Sequence, residues 1–320
     1  MTTEERLTLI AQEASVFEPW TGAFKAEDLL SWYERELSTT GLLLPRTIVH
    51  IISGNTPHAA WQTLLNGLML GAKNFLKLPS QGLEGFEKEI PSSLRPFIET
   101  ARVLPKDWIP QADAMVVYGS DATIRHFRDL APLEIPFVGH GHRVGVALID
   151  DPGEKAAELA AKDIGDFDQQ GCLSLQTIYL EDPKTFAPLL AKALAKLPPR
   201  GPMSLSDHGA ILNLKQEIEY LSAQEPANYA LWQGDDFLIV YEAGEAMSLS
   251  PGNRVVFLKK RSDFKPSRFL SGIALYPFVE RNDLPTPRIF PLGKAQTPPF
   301  AWAHDGVLPL ASLVRHQTCC

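Results

Sequence analysis

Thr47-Ile-Val-His-Ile-Ile-Ser-Gly-Asn-Thr-Pro57 is the stretch whose reading decides the fold. Thr47, Ile48, Val49, Ile51 and Ile52 are β-branched and favour a strand. Ser53-Gly54-Asn55 breaks the run, and Pro57 suits the first turn of a helix, where no N–H is needed. The stretch therefore reads as strand, tight loop, helix. Upstream, residues 4 to 36 read as helices with Leu7, Ile10, Leu29, Leu30 and Trp32 available for an apolar face. Downstream, Asn74 to Leu78 reads as the next strand, followed by Pro79-Ser80 and a helix through Ile98. Two short apolar runs, Ala101 to Leu104 and Ala114 to Val117, come next. The second ends at Tyr118-Gly-Ser-Asp, before a helix containing Ile124 and Phe127. Strands alternating with helices over short connections predict an α/β fold with a mostly parallel sheet covered on both faces. Ligands sit beyond the carboxyl ends of such strands. Three loops fall at that edge: Gly54-Asn55-Thr56, Lys77 to Ser80, and Gly119-Ser120.

A second unit begins near Val144. Val144 to Ile149 reads as a strand, Pro152 to Ile164 as an alanine-rich helix, and Thr177 to Leu180 as a strand after an irregular acidic loop. Helices follow at Thr185 to Lys196 and Leu205 to Ser222, with strands at Phe237 to Tyr241, Val255 to Lys259 and Ile273 to Leu275. The chain of 320 residues suits about two domains. We place an N-terminal helical and dinucleotide-binding domain at 1–143, a catalytic domain at 144–300, and a proline-rich tail at 301–320. A formal charge of -8 leaves no basic patch for a nucleic-acid surface. The N-terminus lacks the apolar core of a secretion signal, and Ala59 to Ala72 is too short to span a bilayer, so a cytoplasmic protein without a membrane span is expected. Of three cysteines, one is internal and two end the chain, which is not a disulfide framework.

The internal one, Cys172, stands between Gly171 and Leu173-Ser174, where the acidic loop meets an apolar strand. A glycine beside it lets backbone approach a substrate, and the sulfur can present itself together with its own N–H to a carbonyl. Taken alone, an internal cysteine is more often a small buried apolar residue.

Its surroundings add to the case. Asp168-Gln-Gln-Gly-Cys-Leu-Ser-Leu-Gln176 resembles the nucleophile segment of the acyl-CoA reductases typified by the LuxC fatty-acid reductase, a branch of the aldehyde dehydrogenase superfamily. Ser53-Gly-Asn-Thr-Pro57 is similar to that family's first strand-to-helix loop, Lys77-Leu-Pro-Ser80 to the lysine and serine loop after the second strand, and Val117-Tyr-Gly-Ser120 to the glycine-serine turn. Pro291-Leu-Gly-Lys-Ala-Gln-Thr-Pro-Pro and His304-Asp-Gly, with Leu310 and Arg315, resemble the closing segment. The motifs are weak singly and are joined by their order.

The resemblance implies an aldehyde dehydrogenase-like fold, with a Rossmann-type cofactor domain and an α/β catalytic domain carrying the nucleophile. It implies NAD(P)H-dependent reduction of an acyl-CoA or acyl-carrier thioester to an aldehyde through an acyl-cysteine at Cys172. The side-chain amide of Asn55 would complete the oxyanion hole, and Gly54, Lys77, Ser80, Gly119 and Ser120 would contact the cofactor. Gln81, where a glutamate would discriminate against a 2′-phosphate, inclines the choice to NADPH over NADH. The segment Gly139-His-Gly-His-Arg-Val-Gly145 departs from the oxidising members, with histidines where a glutamate base is expected, so His140 or His142 would supply protons instead. The His-x-His spacing also suits a metal, but no further ligand clusters nearby in the sequence, and none is expected. An acyl-transferring partner protein and a homo-oligomer fit the same resemblance. The chain is short for this family, which keeps open a catalytically silent relative beside an aldehyde-oxidising one.

Overall fold

The structure, a computed structural model, describes residues 1–52, 56–284 and 286–317. The chain forms two compact units, residues 1–142 with 297–320, and residues 143–296.

In the first unit, helices α1 (Thr3–Gln12), α2 (Ala14–Thr21) and α3 (Ala26–Leu37) precede the short strand β1 (Leu42–Leu43). Then come β2 (Thr47–Ile52), α4 (Pro57–Leu70), β3 (Lys73–Lys77), α5 (Phe86–Glu89), β4 (Ile98–Ala101), β5 (Ala114–Tyr118), α6 (Asp121–Leu130) and β6 (Phe137–His140). The sheet order is β4-β3-β2-β5-β6, with every pair parallel. The chain leaves β2 to one side and returns to the other, so a topological switch lies between β2 and β5, where doubly wound sheets bind nucleotides. One face packs on α1 to α4 around the fully buried Trp61 and Phe17, and the other on Trp108, Ile124 and Phe127.

A polar cluster sits inside this sheet. His50 is fully buried, with Nδ1 2.6 Å from Thr63 Oγ1 and Nε2 3.0 Å from Asn74 Oδ1. Because the Asn74 oxygen only accepts, Nε2 donates to it and Nδ1 accepts from the threonine, which is the neutral imidazole. Asn74 Nδ2 donates to the Ala72 carbonyl at 2.9 Å. Gly67 makes room: a Cβ there would lie 1.8 Å from Asn74 Oδ1.

The long helix expected between Ser80 and Ile98 is reduced to α5. Gly82 and Gly85 both take φ of +84°, and Pro91 and Pro96 interrupt the residues beyond α5. Arg102 fixes this loop by donating to the carbonyls of Pro79, Gly82 and Leu83 at 2.8 to 3.0 Å. The strand expected from Ala101 lies earlier, as β4.

The second unit runs β7 (Val144–Ile149), α7 (Glu154–Gly165), β8 (Leu175–Leu180), α8 (Pro183–Leu194), α9 (Leu205–Gln224), β9 (Tyr229–Gln233), β10 (Leu238–Glu242), β11 (Val255–Lys260), β12 (Leu270–Tyr276) and β13 (Ile289–Pro291). Its seven-stranded sheet has the order β13-β12-β7-β8-β11-β10-β9 and is parallel except at β9. The alanine stripe of α7 and the face of α8 bury against one side.

The tail expected at 301–320 is not separate. Residues 297–320 cluster with the first unit, and β14 (Arg315–His316) pairs antiparallel with β1. No helix of the described residues is long and apolar enough to cross a membrane.

Candidate active site

Cys172 is exposed, on a turn closed by Ser174 N donating to the Gly171 carbonyl at 3.0 Å. It lies before β8, at the amino edge of the parallel sheet, while Ser174 beside it is fully buried. The chain reaches this turn through Phe167, Asp168 and Gln169, with φ of +55°, +50° and +62°. Three successive non-glycine residues in left-handed backbone cost about 1 kcal/mol or more each, so something must hold them.

Asp168 supplies that hold. Its Oδ1 accepts from Arg254 Nε at 2.7 Å and Nη2 at 2.6 Å, and its Oδ2 accepts from the Gly201 N–H at 2.9 Å. Gln169 Nε2 donates to the Leu175 carbonyl at 2.6 Å, and Gln170 Nε2 donates to Asn253 Oδ1 at 3.1 Å. The Asp-Gln-Gln triplet is thus a clamp that sets the path into the cysteine turn.

A second arm comes from the end of the unit. Gln296 Nε2 donates to Ser174 Oγ at 2.8 Å, and a Cβ on Gly171 would press on the Gln296 amide at 3.1 Å, so glycine here admits a side chain. The segment before Gln296 is tied down by Asp163, which accepts from Gly293 N at 2.7 Å and Ala295 N at 2.9 Å. Arg288 donates to the carbonyls of Ala295 and Lys294, each at 2.7 Å. Burial pushes the Asp163 carboxyl up to about 6, against the pull of those two N–H groups. Burial likewise lowers Arg288 to about 10, while negative charge at Asp163 and Cys172 acts the other way. That interaction is mutual, so a thiolate at Cys172 gains from the guanidinium.

In the first unit, the carboxyl edge of the parallel sheet gathers Lys77 at the end of β3, Ser80 just beyond it, Gly119 and Ser120 after β5, and His140 at the end of β6. Gly119 N donates to the His140 carbonyl at 3.1 Å. Ser120 caps α6, its Oγ accepting from Thr123 N at 3.2 Å, and is itself exposed. A helix start beside a topological switch, with half-buried Lys77 at the end of β3 two strands away, is a place that can hold a dinucleotide pyrophosphate. Gly54 and Asn55 lie outside the described residues.

His140 and His142 separate in character. His142 is exposed, whereas His140 is 8% exposed and its Nδ1 lies 3.0 Å from Asp305 Oδ2. The rings of His140, Tyr118 and His304 cluster, with His140 4.5 Å from Tyr118 and 4.4 Å from His304 and those two 5.6 Å apart, and Trp302 stacks on His304 at 4.7 Å. Sequence reasoning set no neighbouring ligand beside His140. The fold brings His304 and Asp305, whose nitrogen and oxygen atoms lie with those of His140 within 4.8 Å of one another. The 3.0 Å contact in this trio has the length of an ordinary N–H···O hydrogen bond.

His140 and His304 border a small pocket whose walls include Trp32, Gln62, Leu65, Tyr118, Phe300 and Trp302. Roles for Asp305, Arg254, Arg288 and Gln296 were missed in the sequence. Asp305 left the Asp-Gly pair of a tight turn and Gln296 stood within the Pro291 to Pro299 segment, whereas Arg254 and Arg288 left none.

A sequence profile described as acyl-CoA reductase (LuxC) matches residues 28–316. The chain is 25% identical over 267 residues to the long-chain acyl-protein thioester reductase of Aliivibrio fischeri, an overlap of 76% of this chain and 53% of that protein. It is 23% identical over 318 residues to long-chain acyl-protein thioester reductase 2 of Photobacterium leiognathi, covering 84% and 63% respectively. The chain thus spans less than two thirds of the length of either relative. Among solved structures, NADP-dependent glyceraldehyde-3-phosphate dehydrogenase from Bacillus halodurans C-125 matches with a TM-score of 0.67 at 15% identity, over 99% of this chain and 86% of that one. An NAD-dependent benzaldehyde dehydrogenase from Corynebacterium glutamicum matches with a TM-score of 0.63 at 13% identity, over 99% and 85%. At such identities the likeness establishes the fold, which is the aldehyde dehydrogenase-like one expected.

Proposed function

Because the chain belongs to the acyl-CoA reductase (LuxC) family, we propose that it reduces an acyl thioester to the aldehyde, with Cys172 carrying the acyl group. The observation that carries this reading is the exposed Cys172 on a clamped turn, within electrostatic reach of Arg288.

The Cys172 thiolate attacks the thioester carbonyl, the carbon–sulfur bond to the carrier breaks, and the carrier thiol departs with a proton. The N–H of Cys172 and the Asn55 amide are the proposed donors to the oxyanion. A bound nicotinamide cofactor supplies the hydride that reduces the acyl-cysteine. The resulting hemithioacetal collapses to aldehyde as its carbon–sulfur bond breaks and the thiolate re-forms. His140 and His142 are the proposed proton donors, and no carboxylate base for hydrolysis stands in that segment. Lys77, Ser80, Gly54, Gly119 and Ser120 are the proposed cofactor contacts, NADPH being preferred over NADH on the ground of Gln81. The relatives' names speak of an acyl-protein, so the carrier on our reading is coenzyme A or a protein thiol. The reading also carries an acyl-transferring partner, a homo-oligomer and a cytoplasmic site of action, as proposals.

The test is incubation with a panel of acyl-CoAs and NADPH, following nicotinamide absorbance together with mass spectrometry of the cysteine peptide. Acyl adduct on Cys172 and consumption of NADPH are expected. Cys172→Ala should lose both while binding nucleotide as before; turnover equal to wild type in that variant refutes the assignment.

A further inference from the structure

We propose that Asp305 is a positioning residue for His140: its carboxylate holds the proton on Nδ1 and so makes Nε2 the nitrogen that exchanges protons. The use of that nitrogen in catalysis rests on the reading of the reaction just given; the pairing itself does not.

The geometry is specific. His140 Nδ1 lies 3.0 Å from Asp305 Oδ2, both side chains are less than a tenth exposed, and a carboxylate can only accept. Neutral His140 must therefore carry its hydrogen on Nδ1, with the lone pair on Nε2. The ring is held against this partner by Tyr118 and His304, whose rings lie 4.5 and 4.4 Å from it and 5.6 Å from each other. Asp305 is equally constrained. It occupies the corner of a turn in which Val307 N donates to the His304 carbonyl at 2.9 Å, with φ of +54° at Asp305 and +79° at Gly306. Asp-Gly is a preferred pair for two successive left-handed corner positions.

The same unit holds a second buried imidazole, His50, whose partners are an amide and a hydroxyl in place of a carboxylate. Around His140 the titratable neighbours are Tyr118 from β5, His304 and Asp305 from the turn, and Asp121 at the start of α6, whose Oδ1 lies 2.7 Å from where a Gly141 Cβ would stand. Of these, Asp305 is the anion in contact. A carboxylate accepts from Nδ1–H whichever charge the ring carries, which leaves Nε2 as the nitrogen open to proton exchange.

Long-range proton–nitrogen spectra of the 15N-labelled full chain, assigned with His140→Ala, read both the tautomer and the titration midpoint of His140. We expect the Nδ1–H form in wild type. In Asp305→Asn, which keeps the turn because Asn-Gly shares its preference, the midpoint should fall by about one pH unit. Asp305→Glu, retaining the charge, should recover part of that fall. An Nε2–H wild type, an unchanged midpoint in D305N, or equal losses in D305N and D305E would each overturn the pairing. In acyl-CoA reduction by the same proteins, D305N should lower kcat about 10- to 100-fold with KM within about twofold, and displace the pH profile with the spectroscopic midpoint. An unchanged kcat in D305N would overturn the catalytic use. A wild type lacking reductase activity but showing the tautomer and its shift would remove the reaction assignment and uphold the pairing.

Discussion

Acidification should weaken the first unit through one histidine. His50 sits inside the parallel sheet as the neutral tautomer, and burial lowers it from 6.5 to about 4. Below its ordinary value the unfolded chain takes up a proton that the folded chain refuses. Stability from this group is therefore complete above about 6.5 and is lost as pH falls towards about 4. Each pH step is worth about 1.4 kcal/mol while only the unfolded state is charged, so between pH 7 and pH 5 the loss is about 2 kcal/mol. Other groups titrate in the same range, and a variant removes them by difference. Urea unfolding of wild type and His50→Gln at both pH values isolates the term, since glutamine bonds to Thr63 and Asn74 without titrating. The advantage of wild type over the variant should shrink by about 2 kcal/mol on going to pH 5. A change smaller than about 0.5 kcal/mol, or one of opposite sign, refutes the reasoning.

Asp163 in the second unit should respond in the opposite sense. Its folded carboxyl holds a proton to about 6 rather than 3.8, so stability is greatest below about 4 and falls as pH rises through 6, by about 3 kcal/mol in all; in Asp163→Asn that slope in denaturant midpoint against pH should vanish. Gly67→Ala should cost about 2 to 3 kcal/mol in urea unfolding, because the added Cβ displaces Asn74 from His50. Arg254→Met should cost about 3 kcal/mol by stranding the Asp168 carboxylate, and should change the rate of iodoacetamide alkylation at Cys172; an alkylation rate equal to wild type would show that the clamp does not set the thiol's presentation.

The strand-loop-helix at Thr47 to Pro57 was readable because its signals are local: β-branched residues for β2 and a first-turn proline for α4. The same holds for β5, β7, β8, β10 and β11, which are apolar runs buried on both faces. Where the signals were weak, reading failed. Phe137 to His140 contains a glycine and a histidine and gave no strand pattern, yet becomes β6 because β5 offers it a free edge. Tyr229 to Gln233 is half-buried and antiparallel, without the continuous apolar run of its neighbours. The helix expected after Ser80 was lost to two left-handed glycines whose φ no periodicity announces. In the site, Cys172 and His140 could be named from the segments around them, since each lies within a recognisable local stretch. Asp305 and Arg254 act from 165 and 86 residues away respectively in sequence, and only folding makes such pairs adjacent.

The two-residue ladder of β1 with β14 has a consequence for that distant carboxylate. Leu43 opposite Arg315, and Gln317 N donating to the Gly41 carbonyl at 2.7 Å, stitch the chain back onto the residues just ahead of β2. The segment that carries Asp305 is thereby held on its far side as well as at His140. The volume its apex can explore shrinks accordingly, and the entropy of finding His140 is spent when the ladder zips rather than at each encounter.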